Sequence, residues 1–259
     1  MHPYSKKCLW AIFLFKKLLM VLKKFFKIGL SKLNIDLTRN MQYDRLTWRI
    51  MEQTIRPNSN CIDIGCFKGE VLERMVKLAP GGSHYAFEPI PALFDNLKKR
   101  FNGKVKIFPF ALSESSGTAN FKFVKNAPAY SGLKNRKYNL KNPEIEDIRV
   151  EIKKLDELIP ENLPIHFIKI DVEGGEFDVL RGAKKIILRD KPVIVFECGI
   201  GASDFYGTKP EDLFFYINSE LNYRISLLKD FIQKKPELKK DQFLDIYKNK
   251  TEYYFVAHS

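Results

Sequence analysis

The chain has 259 residues, with 44 Lys and Arg against 31 Asp and Glu and a formal net charge of +13. This length allows one large domain or two small ones, and 45% hydrophobic with 29% charged residues exclude a disordered chain and a multi-span membrane protein. The four cysteines form no CxxC pair, so a structural zinc is not expected, and scattered free thiols favour a reducing compartment.

The first predicted element is a basic amphipathic helix over residues 1–36. Residues 1–35 contain eight lysines and no acid, so they carry more than half of the net charge. At about 100° per residue, most of these lysines lie on one helix face and large apolar residues lie on the other. The longest apolar run, Cys8–Phe15, is shorter than the ~18 residues that a membrane-spanning helix needs.

We expect this segment to lie in the plane of an anionic membrane, with the lysines of residues 6–33 on the lipid headgroups. The protein would then be cytoplasmic and peripheral on the inner face of the membrane. Two alternatives stay open, a helix docked on the body or on a partner subunit, and a true membrane anchor. A strongly basic chain can also bind nucleic acid, but the charge here lies in an amphipathic tail, and no nucleic-acid partner is expected.

From about residue 37 the chain alternates short apolar runs with amphipathic stretches, which is typical of a parallel sheet with crossover helices. The pattern predicts strands over Asn60–Gly65, His84–Glu88, Val105–Phe110, His166–Val172 and Val193–Cys198, with a closing pair over Tyr223–Leu228 and Tyr253–Ala257. It predicts helices over Gly69–Leu78, Pro91–Phe101, Glu176–Leu188 and Pro210–Glu220. Residues 37–259 are therefore expected to form a single α/β domain.

Residues 113–151 interrupt this alternation. They are polar and rich in turn residues, and Thr118–Val124 is the only strand predicted among them. A long irregular stretch inside a compact domain is usually a functional loop. We expect it to be an insertion that covers the site and selects the substrate.

A glycine motif follows the first predicted strand, where a ligand-binding turn is expected. Asp63, Gly65 and Gly69 form a D-x-G-x-x-x-G pattern at the junction of strand and helix. The spacing differs from that of dinucleotide and P-loop sites, which cradle phosphates. It favours a nucleoside ligand without phosphates, such as S-adenosylmethionine. Glu88 ends the second strand, where an acid can accept hydrogen bonds from both ribose hydroxyls.

Further acids end the fourth and fifth large strands, and ligands of open α/β sheets bind at these carboxyl ends. Asp171, Glu173 and Glu176 surround two glycines at one turn, and Glu197 ends the next strand. Carboxylates here would favour a sulfonium cation, and one of them could remove a proton from an acceptor hydroxyl. Alternatively, Glu173 and Glu176 stabilise the N-terminus of the following helix.

Together these segments resemble the FkbM-type methyltransferase family. The resemblance spans about residues 59–200, and its most specific part is IKIDVEGGEFDVLRGA at 168–183. It implies a Rossmann-like methyltransferase fold, an α/β structure whose mostly parallel seven-stranded sheet has helices on both faces and an antiparallel final strand. It also implies S-adenosylmethionine as cofactor and an oxygen atom as the methyl acceptor.

The resemblance assigns roles to individual residues. Asp63, Gly65, Cys66 and Gly69 would bind the methionine side of the cofactor, although the family often has a smaller residue at position 66. The remaining cofactor contacts would come from Glu88, Pro89, Ala111, Leu112 and Asp171. Asp171, Glu173 and Glu197 are the predicted catalytic residues, with Asp171 or Glu173 favoured as the base.

The sequence therefore predicts an S-adenosylmethionine-dependent O-methyltransferase that acts on a sugar or on another hydroxylated, glycan or lipid-linked, acceptor. A metal-dependent glycosyltransferase with Asp171 and Glu173 as metal ligands is one alternative, and a non-catalytic basic adaptor is another. The Asn126–Tyr130 segment is similar to the Asn-Pro-Pro-Tyr motif of amine-directed methyltransferases. It lacks the second proline and does not follow the fourth strand, so that function is rejected.

Overall fold

In the computed structural model, residues 38–259 are described. The predicted basic helix over residues 1–36 lies outside the described residues. The chain divides into two units after Leu46, and the second, Thr47–Ser259, is compact. Helix α1 (Arg39–Thr54), which the sequence pattern did not predict, begins in the first unit and ends in the second.

The second unit contains two sheets and the helices that connect their strands. The strands are β1 (Cys61–Ile64), β2 (His84–Phe87), β3 (Lys106–Phe108), β4 (Phe110–Leu112), β5 (Gly117–Val124), β6 (Ile145–Lys153), β7 (Phe167–Ile170), β8 (Val193–Glu197), β9 (Arg224–Leu227) and β10 (Tyr254–His258). The helices are α2 (Glu70–Leu78), α3 (Pro91–Phe101), α4 (Glu176–Gly182), α5 (Lys184–Asp190), α6 (Pro210–Phe215), α7 (Leu228–Ile232) and α8 (Lys240–Asn249). Of these, α7 and α8 were not predicted.

The large sheet has seven strands in the order β3-β2-β1-β7-β8-β10-β9. The first five strands pair in parallel, whereas β10 runs antiparallel to both of its neighbours. Every residue of β1, β2 and β7 is buried, as expected for central strands covered on both faces. The predicted Rossmann-like sheet with an antiparallel final strand is thus confirmed.

The third predicted strand, Val105–Phe110, is divided between two sheets. Its first part is β3 of the large sheet, and after Pro109 the chain continues as β4 of a small sheet with the order β4-β6-β5. Proline has no N–H for a sheet hydrogen bond, which accounts for the break at this position. The Phe108 ring stacks between the rings of Phe87 and Phe110, with centroids 5.5 and 5.8 Å away.

The predicted insertion at 113–151 is more ordered than the sequence pattern indicated. It contributes β5 and most of β6 to the small sheet, which has a core of its own formed by Ile90, Ala111, Phe121 and Val150. The missed strand β6 alternates Ile148, Val150 and Ile152 with charged residues, a period-two pattern that could have predicted it. The loop between β5 and β6 leads back over the carboxyl ends of the large sheet.

The predicted helix Glu176–Leu188 is two helices, α4 and α5, that meet at Ala183. Gly182, at the end of α4, lies so close to the backbone of Ser113 that an added Cβ would be 2.1 Å from its carbonyl oxygen. The break thus lies where the start of the insertion packs closely against the helix. In the part of the chain that the structure describes, no helix combines the length and the apolar character that crossing a membrane requires.

Candidate functional site

A cavity of about 280 Å³ opens at the carboxyl ends of β1, β2 and β7. Its walls include seven of the predicted cofactor residues, namely Gly65, Cys66, Glu88, Pro89, Ala111, Leu112 and Asp171. The cavity is completed by apolar side chains of the small sheet and by the loop after β5. Two predicted cofactor residues, Asp63 and Gly69, lie behind this wall and not in it.

The glycine loop is shaped by close packing of backbones. Gly65 has a φ of +72°, and an added Cβ would be 1.9 Å from the carbonyl oxygen of Asp171. The N–H groups of Gly65 and Cys66 both donate to the carbonyl oxygen of Phe87, at 3.0 and 3.2 Å. Gly69 has a φ of +73° and precedes α2, where a Cβ would be 2.7 Å from Leu97. Only glycine fits both positions.

Glu88 is a buried carboxylate held in place at the end of β2. Its two oxygens accept hydrogen bonds from different backbone N–H groups, Oε2 from Phe67 at 2.8 Å and Oε1 from Ile90 at 3.0 Å. Burial raises its pKa to about 7, against the effect of those two hydrogen bonds. Each oxygen keeps a lone pair, so the carboxylate can still accept a pair of hydroxyl groups.

A buried lysine, which the sequence analysis missed, links two of the predicted acids. The Lys169 ammonium lies 3.0 Å from Asp171 Oδ2, 3.9 Å from Asp63 Oδ1 and 3.5 Å from the carbonyl oxygen of Gly65. Burial acts to lower the pKa of Lys169, but the two carboxylates outweigh it and raise the pKa above its ordinary value. Strand alternation places residues 169 and 171 on the same side of the chain, and this signal could have revealed the pair.

Asp63 and Asp171 differ in their protonation behaviour. Burial raises the pKa of Asp63 to about 6, although Lys169 opposes the shift. For Asp171, burial is outweighed by Lys169 and by a hydrogen bond of 2.7 Å from the Tyr254 hydroxyl, so its pKa lies below the ordinary value. Asp171 is thus a carboxylate that keeps its charge and accepts protons poorly.

Glu173 and Glu176, two residues of one turn, have different surroundings. Glu173 has a φ of +61°, and its carboxylate pairs with the guanidinium of Arg136 from the insertion loop. Glu176 Oε1 instead accepts the backbone N–H groups of Val172 and Gly174, at 2.9 and 3.1 Å. Glu176 therefore stabilises the turn itself, whereas the structural alternative for this residue was stabilisation of the N-terminus of the following helix.

Glu197 lies at the end of β8 and completes a group of three acids. Carboxylate oxygens of Asp171, Glu173 and Glu197 lie within 4.8 Å of one another. Burial, together with the negative charges of Asp171 and Glu176, raises the pKa of Glu197 well above its ordinary value. The structure thus brings the three predicted catalytic residues together beside the cavity. Because Asp171 and Glu173 are already paired with Lys169 and Arg136, the group is poorly suited to hold a divalent metal.

The loop after β5 forms the wall of the cavity opposite the glycine loop. Its backbone is fastened at Lys134, whose N–H donates to the Tyr206 hydroxyl at 3.1 Å, and at Lys137, whose N–H donates to the carbonyl oxygen of Gly201 at 2.8 Å. Arg136 lies between these points, and Tyr206 itself lines the cavity. No motif in the sequence marked Arg136, Tyr206 or Tyr254, because these residues reach the site from segments far apart in the chain.

The residues present fit a nucleoside cofactor with a cationic group. Glu88 offers two anchored acceptor oxygens, and Ile90, Phe110, Leu112 and Phe121 provide apolar walls suited to a flat aromatic base. The methionine side carries one net negative charge when Asp63, Lys169 and Asp171 are all ionised. A negative charge there suits a sulfonium. Pro89, Ala111 and Cys66 contribute cavity surface.

Comparison with known proteins matches a model of the methyltransferase FkbM domain to residues 63–225. The methyltransferase sdnD of Sordaria araneosa is 30% identical over 156 residues, which cover 48% of this chain and 60% of that protein. The 2-O-methyltransferase NoeI of Sinorhizobium fredii is 25% identical over 150 residues, covering 52% of this chain and 62% of that protein. The matched region thus spans about three-fifths of each relative. A solved methyltransferase FkbM from Methylobacillus flagellatus aligns with a TM-score of 0.48 at 15% identity, over 92% of this chain and 60% of that one.

Proposed function

The chain belongs to the FkbM methyltransferase domain family, and from this premise we propose that it transfers a methyl group from S-adenosylmethionine to a hydroxyl oxygen of a sugar or of another hydroxylated acceptor. The observation that carries the proposal is Glu88, a buried acid whose oxygens are both fixed by backbone N–H groups inside the cavity. The name of one relative, a 2-O-methyltransferase, supports oxygen as the acceptor atom.

In this proposal the cofactor supplies an electrophilic methyl group on a positively charged sulfur. Glu88 binds its ribose hydroxyls, and Ala111 and Leu112 lie along the base. Gly65, Cys66 and Gly69 form the loop on the methionine side, where Asp63 and Asp171 provide negative charge. Holding acceptor and donor in line supplies most of the rate, because proximity and orientation dominate such displacements.

The proton of the acceptor hydroxyl must leave as the new bond forms, and the three acids differ in their ability to take it. Asp171 has a lowered pKa, and Glu173 is paired with Arg136. Glu197 has a raised pKa and lies within 4.8 Å of both. A carboxylate with a raised pKa is the better proton acceptor near neutral pH. Glu197 is therefore our preferred base, in place of Asp171 or Glu173.

Calorimetric titration with S-adenosylhomocysteine tests the cofactor site directly. We expect measurable binding to the full-length protein and at least a tenfold loss in Glu88→Gln, because hydrogen bonds to a charged acceptor contribute about 1.5–3 kcal/mol. Glu161→Gln, which changes an exposed acid elsewhere, is the matched control and should bind normally. Absence of binding to the wild-type protein would refute the proposed cofactor.

A thermal-shift comparison separates the proposal from a metal-dependent glycosyltransferase that uses Asp171 and Glu173. S-adenosylhomocysteine alone should raise the melting temperature, and a nucleotide sugar with Mn²⁺ should not. The opposite pattern would favour the glycosyltransferase.

Mass spectrometry can identify the acceptor. Glycans and lipids from cells without the protein should include one compound that lacks a methyl group present in cells with the protein.

A further inference from the structure

The loop between β5 and β6 has an unusual charge composition for a segment beside a cluster of acids. Residues 125–143 contain four lysines and one arginine and no acidic residue. Lys134 and Lys137 are exposed, and the Lys134 ammonium lies 5.2 Å from the centre of the Tyr206 ring, which lines the cavity. The positive charge of this loop would attract an anion.

Arg136 is the one cation of this loop that reaches the acids. Its side chain is only 14% exposed, and it pairs with Glu173. Its charge also lowers the pKa values of Asp171 and Glu197, although burial is the larger influence on each of these acids. The guanidinium carbon lies 5.1 Å from the centre of the Tyr130 ring, and that ring meets Tyr138 edge-on.

The ion pair with Glu173 uses only part of the guanidinium. The pair is made by one terminal nitrogen, Nη1, whereas the buried Nε has no hydrogen-bond acceptor within residues 38–259. A buried N–H without an acceptor is costly, and the Nε edge of an arginine is suited to carboxylate or phosphate oxygens. The structure therefore shows a donor that a further oxygen would satisfy, beside the predicted catalytic acids.

From these observations, and resting on the proposed methyl transfer, we infer that the acceptor carries an anionic group, a carboxylate or a phosphate, and that Arg136 binds it. Lys134 and Lys137 attract the anion, and Arg136 fixes it next to Glu173. The Tyr130 ring offers a flat surface for a sugar. The hydroxyl to be methylated then lies near Glu197, and an acceptor without the anionic group is bound less well.

The test uses full-length protein, methyl-labelled S-adenosylmethionine and a glycan and lipid extract from cells that lack the protein. After anion-exchange separation, we expect the label in the anionic fraction. One portion of the extract is first treated with cold aqueous hydrogen fluoride, which cleaves phosphate esters, and another with carbodiimide and borohydride, which reduces carboxylates. The treatment that abolishes labelling identifies the anion. Label only in neutral products, or labelling unaffected by both treatments, would overturn the inference.

Variants then assign the anion to Arg136. Arg136→Gln should raise the KM for the labelled acceptor about tenfold or more, Arg136→Lys less, and Lys125→Gln, at an exposed lysine of the same loop, should behave as wild type. Arg136→Gln should also lose its preference for the untreated acceptor over the neutralised one, an effect that loosening of the loop would not produce. An unchanged preference would overturn the role of Arg136.

Binding of S-adenosylhomocysteine separates failure of this inference from failure of the proposed function. All the loop variants should bind it within twofold of wild type, because none of the altered residues lies in the cofactor part of the cavity. If the protein binds S-adenosylhomocysteine but transfers methyl groups only to neutral acceptors, only the anionic acceptor is refuted. Binding without any transfer refutes both, and no binding refutes the cofactor itself.

Discussion

Lys169 is the residue that holds the two sides of the candidate site together. Its ammonium lies between Asp63, behind the glycine loop, and Asp171, at the turn after β7. A buried ion pair adds little net stability, yet removal of one partner leaves an uncompensated charge. The contacts that position Asp171 are therefore also contacts on which folding depends.

Replacing this lysine should expose that dependence. Lys169→Met leaves two buried acids without their cation, and we expect the free energy of unfolding to fall by about 3–5 kcal/mol, measured by urea denaturation. Lys122→Met is the matched control, because its ion pair with Asp147 at 2.8 Å lies at the surface and should contribute about 1 kcal/mol or less. Equal losses in the two variants would contradict the assigned role.

The raised pKa of Glu197 makes a prediction about the pH dependence of methyl transfer. As the proposed base, Glu197 acts only when it is ionised. We therefore expect kcat/KM to fall as the pH drops below the pKa of Glu197, which lies well above 4.5. Arg136 lowers this pKa, so Arg136→Gln should displace the acid limb towards higher pH. Glu197→Gln should lose most of the activity together with that limb. A limb unchanged in Glu197→Gln would assign the proton to another group.

At the scale of elements, the central sheet was predicted, whereas only one strand of the insertion was. Strands β1, β2, β7 and β8 are short apolar runs because both faces are covered, and this burial is visible in the sequence. Strand β6 alternates Ile148, Val150 and Ile152 with charged residues, so its pattern could have predicted a strand although most of it is exposed. Glycines and acids at strand ends were likewise predictable, whereas Arg136 and Tyr254 reach the site through tertiary contacts alone.

A few hydrogen bonds hold the loop after β5 against the segment after β8, and single substitutions can test them. Tyr206→Phe removes the acceptor for the Lys134 N–H, and a lost hydrogen bond of about 1 kcal/mol corresponds to roughly fivefold faster opening. Hydrogen exchange should therefore accelerate at residues 132–138. Tyr138→Phe, whose hydroxyl donates a long hydrogen bond of 3.4 Å to Asn135 Oδ1, should leave exchange in this loop unchanged. If Tyr138→Phe accelerates exchange and Tyr206→Phe does not, the Tyr206 hydrogen bond is not what holds the loop.

For the whole molecule, the net charge of +13 combines two groups of basic residues to which we give different roles, one in location and one in binding. We propose that the lysines of the tail, outside the described residues, decide where the enzyme resides. In our proposal the basic loop at 125–143 binds the acceptor. Sequence composition alone identifies the basic tail, but only the fold shows that the loop lies beside the predicted catalytic acids.

Removing the tail should abolish membrane binding and leave cofactor binding unchanged. Deletion of residues 1–33 should abolish sedimentation with anionic liposomes, while binding of S-adenosylhomocysteine stays within twofold of wild type. Replacing Lys16, Lys17, Lys23, Lys24 and Lys27 by Gln keeps the apolar face and should weaken liposome binding strongly, at about 1 kcal/mol per charge. Unchanged sedimentation of the deletion variant would refute the membrane proposal.

The break at Pro109 has a consequence for coupling between the two proposed ligand sites. Past this residue the chain leaves the large sheet, and β4 supplies the cofactor wall while the rest of the small sheet leads into the acceptor wall. Both proposed ligands would thus contact one three-stranded sheet, and linkage makes any coupling between their affinities reciprocal. Titrating each ligand in the presence and absence of the other should therefore give the same factor of change in affinity in both directions.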